Sequence, residues 1–270
     1  MSFRLSKSER RERILAELRL TPLVRISELA EKFGVSTETV RRDVDALSSQ
    51  GLVDRAYGGA SARPMGIQPA FGERDRTFIR ERELIAARAV SLISPGEVLM
   101  IDAGSTTTQF ARHLAVHGKD LTVLTNSYSV ATALGNGSGI RIVMCPGDYV
   151  HREAGVYGNE TVEFLRRFHA NKTFIGAGAL GPDGLMDVNS GACWVKRIMI
   201  EQSDECFALV DHSKFEHRLL ETVAPLSALD GVITDQMPAP PLRQALAERG
   251  VSLYLPEFPG KPAGADGADS

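Results

Sequence analysis

Two stretches of this 270-residue sequence combine residue types at spacings that suit chemistry. The first is Val98-Leu99-Met100-Ile101-Asp102-Ala103-Gly104-Ser105-Thr106-Thr107-Thr108. An apolar run ends in Asp102, and a glycine with four hydroxyl residues opens the next element. A strand that turns into a helix in this way aims unpaired backbone N–H groups and hydroxyls at one point, and the helix N-terminus adds positive potential. Small residues let a phosphate approach the backbone. The spacing is not that of a nucleotide P-loop, because no G-K-[ST] follows. Gly104, Ser105, Thr106 and Thr107 are therefore candidate ligands for a phosphate on something smaller. Further apolar runs end in Thr125-Asn126-Ser127, Gly147-Asp148-Tyr149 and Asp211-His212-Ser213-Lys214. In an open α/β sheet the ligand sits beyond the carboxyl ends of the strands, so these ends are expected to converge. Lys196 and Lys214 would supply positive charge. Asp102, Asn126 and Asp211 would hydrogen-bond sugar hydroxyls, with Ser127 beside them.

The second stretch is Ser36-Thr37-Glu38-Thr39-Val40-Arg41-Arg42. Val40, Val44 and Leu47 recur at helical spacing and mark an inward stripe. The other face offers Thr37, Thr39, Arg41 and Arg42. Arginine pairs bidentately with guanine, and threonine meets a base or a thymine methyl. Ser36 caps the helix and can donate to a phosphate. A short helix at about 27–33, joined to this one by Gly34-Val35, gives the two-helix arrangement whose second member enters the major groove. Arg55, Tyr57 and Gly58, in a strand and turn just beyond, suit a wing against the DNA backbone. The plainer reading of Arg41 and Arg42 is a solvated helix face, with Asp45 as partner. The turn, the cap and the stripe together favour DNA.

The elements that position these groups follow from periodicity and punctuation. Ser6 and Glu9 have capping-box spacing ahead of a helix over 6–20 that carries Ile14, Leu15 and Leu18. The third helix runs from Ser36 to about Gln50 and stops at Gly51. Residues 61–70 are rich in breakers and read as a linker. A charged helix is predicted over about 71–93. Beyond Pro95-Gly96, short apolar runs at 97–101, 121–125, 140–144, 173–177, 206–210 and 231–234 alternate with helical patterns. That alternation predicts a mostly parallel, doubly wound α/β sheet. Residues 256–270, rich in Pro, Gly, Ala and Asp, are expected to be disordered. The expected division is a DNA-binding domain at 1–60, a linker at 61–70, a sensing domain at 71–255 and a tail at 256–270.

Composition narrows the classes. Residues 1–63 hold 12 Lys/Arg against 9 Asp/Glu, and the remainder holds 19 against 25. A basic front on an acidic body suits a polyanion-binding module attached to something else. Three cysteines without close pairing exclude a full disulfide framework and suit a reducing cytoplasm. No apolar run approaches the roughly 20 residues a membrane span needs. The six histidines show no metal-ligand spacing. No cofactor is expected.

Taken together, Val35-Ser36-Thr37-Glu38-Thr39-Val40-Arg41-Arg42-Asp43-Val44-Asp45-Ala46-Leu47, Gly51-Leu52-Val53 and Arg55-Ala56-Tyr57-Gly58-Gly59-Ala60 resemble the N-terminal signature of the DeoR/GlpR family of bacterial regulators. Asp102 to Thr107, 121–127, 172–180, 195–200 and 209–215 are similar to the effector domain of the same family. The resemblance implies a winged helix on operator DNA and an effector domain related in fold to ribose-5-phosphate isomerase-like enzymes. It implies a repressor of a sugar or polyol catabolic operon, released by a phosphorylated sugar. It also implies that Gly104 to Thr107 form the phosphate loop and that Lys196 and Lys214 belong to the pocket. Ala103, Met186-Asp187 and Ser190-Gly191-Ala192 depart from the family pattern near that pocket. A homo-oligomer is expected, because one recognition helix reads too few bases. The rival reading is a sugar-phosphate isomerase or deaminase carrying a DNA-binding arm. Isomerisation needs a placed carboxylate or similar base. Gly176-Ala177-Gly178-Ala179 supplies none, leaving Asp183 and Asp187 as weak substitutes.

Overall fold

The computed structural model describes residues 5–21, 23–49, 53–56, 58–62 and 68–256. Helix α1 (Lys7–Leu20) starts where its capping box places it. The Ser6 hydroxyl accepts the Glu9 N–H at 3.3 Å, and the Glu9 carboxylate accepts the Ser6 N–H at 2.9 Å. Strand β1 (Leu23–Arg25) leads into α2 (Ile26–Phe33) and α3 (Thr37–Ser49), followed by the hairpin β2 (Val53–Ala56) and β3 (Gly59–Ala62). Gly34 ends α2 at φ 63°, the left-handed conformation that glycine adopts without a Cβ clash. The Gly34 N–H then reaches Glu31 O, and the Val35 N–H reaches Ala30 O at 3.0 Å. This paired closure sets the angle between α2 and α3. Ile14, Leu18, Leu29, Val40, Val44, Leu47, Val53 and Ala60 close one small core. Residues 50–52 and 57, where the third helix's stop and part of the wing were expected, lie outside the described residues. So do 63–67 of the expected linker and 257–270 of the expected tail.

The charged stretch predicted as one helix over 71–93 is two: α4 (Phe71–Arg74) and α5 (Ile79–Val90). The break is at Phe78, which sits at φ 52°, an uncommon conformation for a bulky residue that surrounding packing must hold. Its ring meets the His212 ring edge-on at 5.6 Å. Tertiary contact has overridden a helical pattern that looked continuous.

A seven-stranded sheet follows, built from β4 (Val98–Ile101), β5 (Leu121–Thr125), β6 (Ile140–Met144), β9 (Ala170–Gly176), β12 (Ser203–Leu209), β14 (Gly231–Ile233) and β15 (Ser252–Tyr254). Its spatial order is β15-β14-β12-β9-β4-β5-β6, and every neighbouring pair is parallel. The helices α6 (Ser105–His117), α7 (Tyr128–Leu134), α8 (Asn159–Leu165), α9 (Ser190–Glu201) and α10 (Pro240–Glu248) link its strands. Alternation along β4 feeds two cores. Leu99 and Ile101 pack with Phe110, Leu114 and Phe174 on one face, and Met100 packs with Leu124, Ile175 and Ile198 on the other. Periodicity alone did not reveal the hairpin β7 (Asp148–Val150) and β8 (Gly155–Tyr157), or the small antiparallel sheet of β10 (Ala179–Gly181), β11 (Gly184–Asp187) and β13 (Glu221–Ala224). These strands are three or four residues long, too short to show a period.

The winding explains where a ligand can go. From β4 the chain builds outward through β5 and β6, then crosses to the other side of β4 and builds through β9, β12, β14 and β15. The direction reverses between β4 and β9. At such a switch point, the loops leaving the two carboxyl ends diverge and open a crevice.

Candidate functional site

The exposed face of α3 is set by its own buried stripe. Val40, Val44 and Leu47 are buried, and Thr37, Arg41 and Arg42 are exposed. The Ser36 hydroxyl accepts the Thr39 N–H at 3.2 Å and lies 2.8 Å from the Thr39 hydroxyl. Both arginines rest on one carboxylate: Arg41 and Arg42 each lie 3.1 Å from Glu38. Exposed pairs of this kind are worth little, so the guanidiniums are available to a phosphate or a base edge at small cost. Gly58 sits at the hairpin tip with φ 72°, and its carbonyl accepts the Ile26 N–H at 3.0 Å. Arg55 lies on β2 opposite Ala60. Tyr57 lies outside the described residues. Behind this face, Asp43 is buried against Arg10 at 2.5 Å and Arg11 at 3.2 Å, which fastens α1 to α3.

The second site lies at the switch point. A cleft of about 430 Å³, its open mouth included, is walled by Ala103, Gly104, Ser105 and Thr106 after β4, and by Gly176 and Ala177 after β9. Tyr157, Asp187, Ala192, Lys196 and Lys214 close its sides, with Arg74 and Glu153. Helix α6 begins at Ser105 and points its first N–H groups, which have no partners within the helix, at this space. Its hydroxyls divide into two pairs. Thr107 and Thr108 donate back to Gly104 O at 3.0 and 2.7 Å, whereas Ser105 and Thr106 line the cleft.

Beneath the loop lies a buried charge cluster. Lys196 Nζ is 2.6 Å from Asp187 Oδ2 and 3.4 Å from Asp102 Oδ2. Asp102 Oδ1 accepts the Gly176 N–H at 3.0 Å, and its Oδ2 makes no hydrogen bond among the described residues. Burial pushes the Asp102 carboxyl up to about 6, against the pull of Lys196 and the Gly176 N–H. Burial also pulls down on Lys196, but Asp187 and Asp102 outweigh it and hold the ammonium above its ordinary value. For Asp187, burial is outweighed by Lys196, so the carboxyl stays below the usual range. Lys196 is thus matched by two carboxylates and brings little net charge to an anion. The three cysteines are buried thiols, all raised by burial, and do not take part.

Of the residues singled out in the sequence, Gly104, Ser105, Thr106, Lys196 and Lys214 meet at the cleft, with Asp102 directly below it. Four others lie off the cleft wall and make contacts within the protein. Thr107 is bonded inside α6. Asn126 donates to Val156 O at 2.9 Å, and Ser127 caps α7 through the Val130 N–H at 3.2 Å. Asp211 is fully buried, accepts the Ser213 N–H at 3.1 Å and pairs with Arg82 at 3.5 Å. Ser127 bonds nearby backbone and Asp211 meets Ser213 and Arg82, whereas Asn126 keeps a buried Oδ1 with no hydrogen-bond partner among the described residues. Sequence reasoning missed Arg74, Glu153 and Tyr157. Glu153 and Tyr157 come from the β7–β8 hairpin region and Arg74 from the broken helix, and neither feature has a periodic signature. Among the described residues no group of His, Cys, Asp and Glu is placed to hold a metal. No helix of the described residues is long and apolar enough to cross a membrane.

Comparison with known proteins agrees with both halves. Residues 10–63 match the DeoR-like helix-turn-helix domain, and residues 77–236 match the DeoR C terminal sensor domain. The glycerol-3-phosphate regulon repressor of Escherichia coli (strain K12) is 30% identical over 252 residues, which is 93% of this chain and 100% of that protein. The HTH-type transcriptional repressor GlcR of Bacillus subtilis (strain 168) is 31% identical over 252 residues, covering 93% of this chain and 97% of that one. The crystal structure of ribose 5 phosphate isomerase A from Neisseria gonorrhoeae shares 21% identity and a TM-score of 0.40, over 53% of this chain and 56% of that one. A winged helix carrying exposed arginines, followed by a doubly wound sheet with a polar cleft at its switch point, is thus matched in sequence over both units, and the chain belongs to the DeoR family.

Proposed function

We propose that this protein represses a sugar or polyol catabolic operon by binding its operator through α3 and the β2–β3 wing, and that a phosphorylated sugar in the cleft releases it. The observation that carries the effector half is the cleft itself. It lies at the switch point, under the first turn of α6, with Ser105, Thr106 and Lys214 on its walls. A phosphate there meets backbone N–H groups, hydroxyls and a cation together. The reading assigns DNA binding to 1–60, connection to 61–70 and sensing to 71–255. It assigns contacts with DNA to Ser36, Thr37, Thr39, Arg41, Arg42, Arg55, Tyr57 and Gly58. The working form is a homo-oligomer on a repeated or palindromic operator in the cytoplasm, since one recognition helix spans too few base pairs for genomic specificity.

The test is fluorescence anisotropy on labelled DNA from upstream of the protein's own gene cluster, at fixed salt, with sugar phosphates added in turn. Salt must be fixed because the phosphate-contact part of the affinity varies steeply with it. Release by one compound supports the reading and names the effector. No specific DNA binding in any condition overturns it.

Two substitutions sharpen this. Arg41→Ala and Arg42→Ala should each weaken operator binding by about 1–3 kcal/mol where the side chain is bidentate to a base. Wild-type affinity in both would remove α3 from the reading role. Combining Thr106→Ala with Lys214→Ala should abolish induction, and induction that survives would place the effector elsewhere.

We do not assign catalysis to this chain. Two of the carboxylates at the cleft, Asp187 and Asp102, are engaged with Lys196 and the Gly176 N–H, and Glu153 holds Arg74. Asp187 and Glu153 are thus paired with cations, and Asp102 lies beneath the cleft and is absent from its lining, so no carboxylate on the wall is placed as a base beside a sugar carbon. Incubation with ribose 5-phosphate or glucosamine 6-phosphate should give no turnover. Turnover lost in Asp187→Ala would favour the enzyme.

A further inference from the structure

We infer that Arg74, on the segment through which the chain arrives from the DNA-binding half, is the group that reports an anion in the cleft to that half. The inference rests on the effector reading above and deepens it.

Arg74 ends α4 and lines the cleft together with Gly104, Thr106 and Lys214. Its guanidinium is held on two sides: Nη2 lies 2.5 Å from Glu153 Oε2, and Nη1 donates to Gln68 Oε1 at 3.3 Å. Its third donor nitrogen, Nε, is buried and has no hydrogen-bond partner among the described residues. Leaving a buried donor of a charged group unmade is costly, and an oxyanion in the cleft would satisfy it. Phosphate and carboxylate then compete for the same planar fork, and a phosphate carries the larger charge.

The partners of Arg74 make this competition consequential. Gln68 is buried, and it is among the first described residues after the wing. Its carbonyl accepts Arg152 Nη2 at 2.6 Å. Its amide packs so closely over Gly178 that a Cβ there would collide with it. The Arg74 carbonyl in turn accepts from Arg82, which is paired with Asp211. Four residues after Arg74, Phe78 holds its left-handed conformation against His212. The strap 68–78 is therefore seated on the sensing domain by polar contacts of Gln68 O with Arg152, of the Arg74 guanidinium with Glu153, of the Arg74 carbonyl with Arg82 and of Asp75 with Arg112, while the Arg74–Gln68 bond holds the two ends of the strap together. When phosphate draws the guanidinium from Glu153, the strap loses that seating contact and the bond to Gln68 that ties its ends together, and with them part of the anchoring of the chain that leads to α1–α3. The effector gains its leverage by binding the released and seated arrangements with different affinity, which is what coupling between two sites requires.

The experiment uses the full-length chain, its operator and inorganic phosphate as probe, with chloride of equal ionic strength as reference. Phosphate binding is read by calorimetry and operator binding by anisotropy. In the wild type, phosphate should weaken operator affinity by about tenfold. In Arg74→Ala that ratio should fall to near one, while phosphate still binds through the α6 terminus with lower affinity. In Glu153→Gln, which loosens the competing hold, operator affinity should fall before any phosphate is added, and phosphate should bind more tightly. Arg74→Lys keeps the charge without the fork and should give an intermediate ratio at a wild-type melting temperature, so misfolding does not account for the trend. A wild-type ratio in Arg74→Ala, or wild-type operator and phosphate affinities in Glu153→Gln, overturns the role of Arg74. The cleft reading then stands if Thr106→Val still removes phosphate binding. A wild-type protein that binds no phosphate overturns the cleft and the strap together.

Discussion

Asp43→Ala is expected to unfold the DNA-binding half while the sensing half stays folded. Asp43 is 2% exposed and faces Arg10, itself 9% exposed, at 2.5 Å, with Arg11 at 3.2 Å. Removing the carboxylate leaves a buried guanidinium without its counter-charge. Breaking one partner of a buried pair costs about 3–5 kcal/mol, because the survivor keeps its desolvation penalty and loses its compensation. A unit of about 60 residues has little stability to lose. Denaturant unfolding should show an early transition absent from the wild type. Operator binding should vanish, and phosphate binding in the cleft should persist. Arg42→Ala provides the contrast. Its partner Glu38 is exposed, so operator affinity should fall without a change in the unfolding midpoint. An Asp43→Ala protein that unfolds like the wild type would show that α1 is held to α3 by the apolar core alone.

The second large effect is expected at Lys196→Met. Methionine fills a similar volume, so the change is mainly electrostatic. It leaves Asp187 and Asp102 buried and 6% and 2% exposed, without the ammonium that lies 2.6 and 3.4 Å away. The loss at neutral pH should be about 3–5 kcal/mol, and it should depend on pH with a definite sign. In the wild type, Asp187 is held below its ordinary value of 3.8, so its ionisation stabilises the fold above that pH and the gain fades as pH falls through the folded value. Asp102 is raised from 3.8 to about 6, so its ionisation works against the fold as pH rises between those values. Without Lys196, burial of both carboxyls is opposed only by weaker pulls, the Gly176 N–H on Asp102 and the Val188 N–H and Arg74 on Asp187, so both should rise. The deficit of the variant should therefore be small near pH 4, where both can be protonated, and should grow toward pH 8. Urea midpoints at the two pH values check this. A deficit independent of pH would mean that Lys196 acts through packing.

These two cases mark the boundary between what a sequence encodes locally and what folding assembles. The cap at Ser6 and Glu9, the turn at Gly34, the stripe Val40, Val44 and Leu47, and the strand-to-helix loop at Gly104 were all legible, because each is decided by residues within about two helical turns of one another. The parallel sheet was legible for a related reason: its strands are short apolar runs bounded by turn residues, and that pattern repeats. The contacts that Asn126, Ser127 and Asp211 make within the protein were not legible. A polar residue at a strand end looks the same whether it meets a ligand or the nearest unsatisfied backbone group, and only the path of the following loop decides.

Local sequence set the two units, the helix that presents Arg41 and Arg42, and the glycine-and-hydroxyl loop at Gly104 to Thr107 that opens α6. Tertiary structure alone decided that β9 lies beside β4, and so which side chains share the cleft. Arg74 and Glu153 are 79 positions apart, and Arg82 and Asp211 are 129 apart. No local propensity carries such pairings. They follow from the spatial order of the strands, which also brings the His212 ring edge-on to Phe78 at the break between α4 and α5.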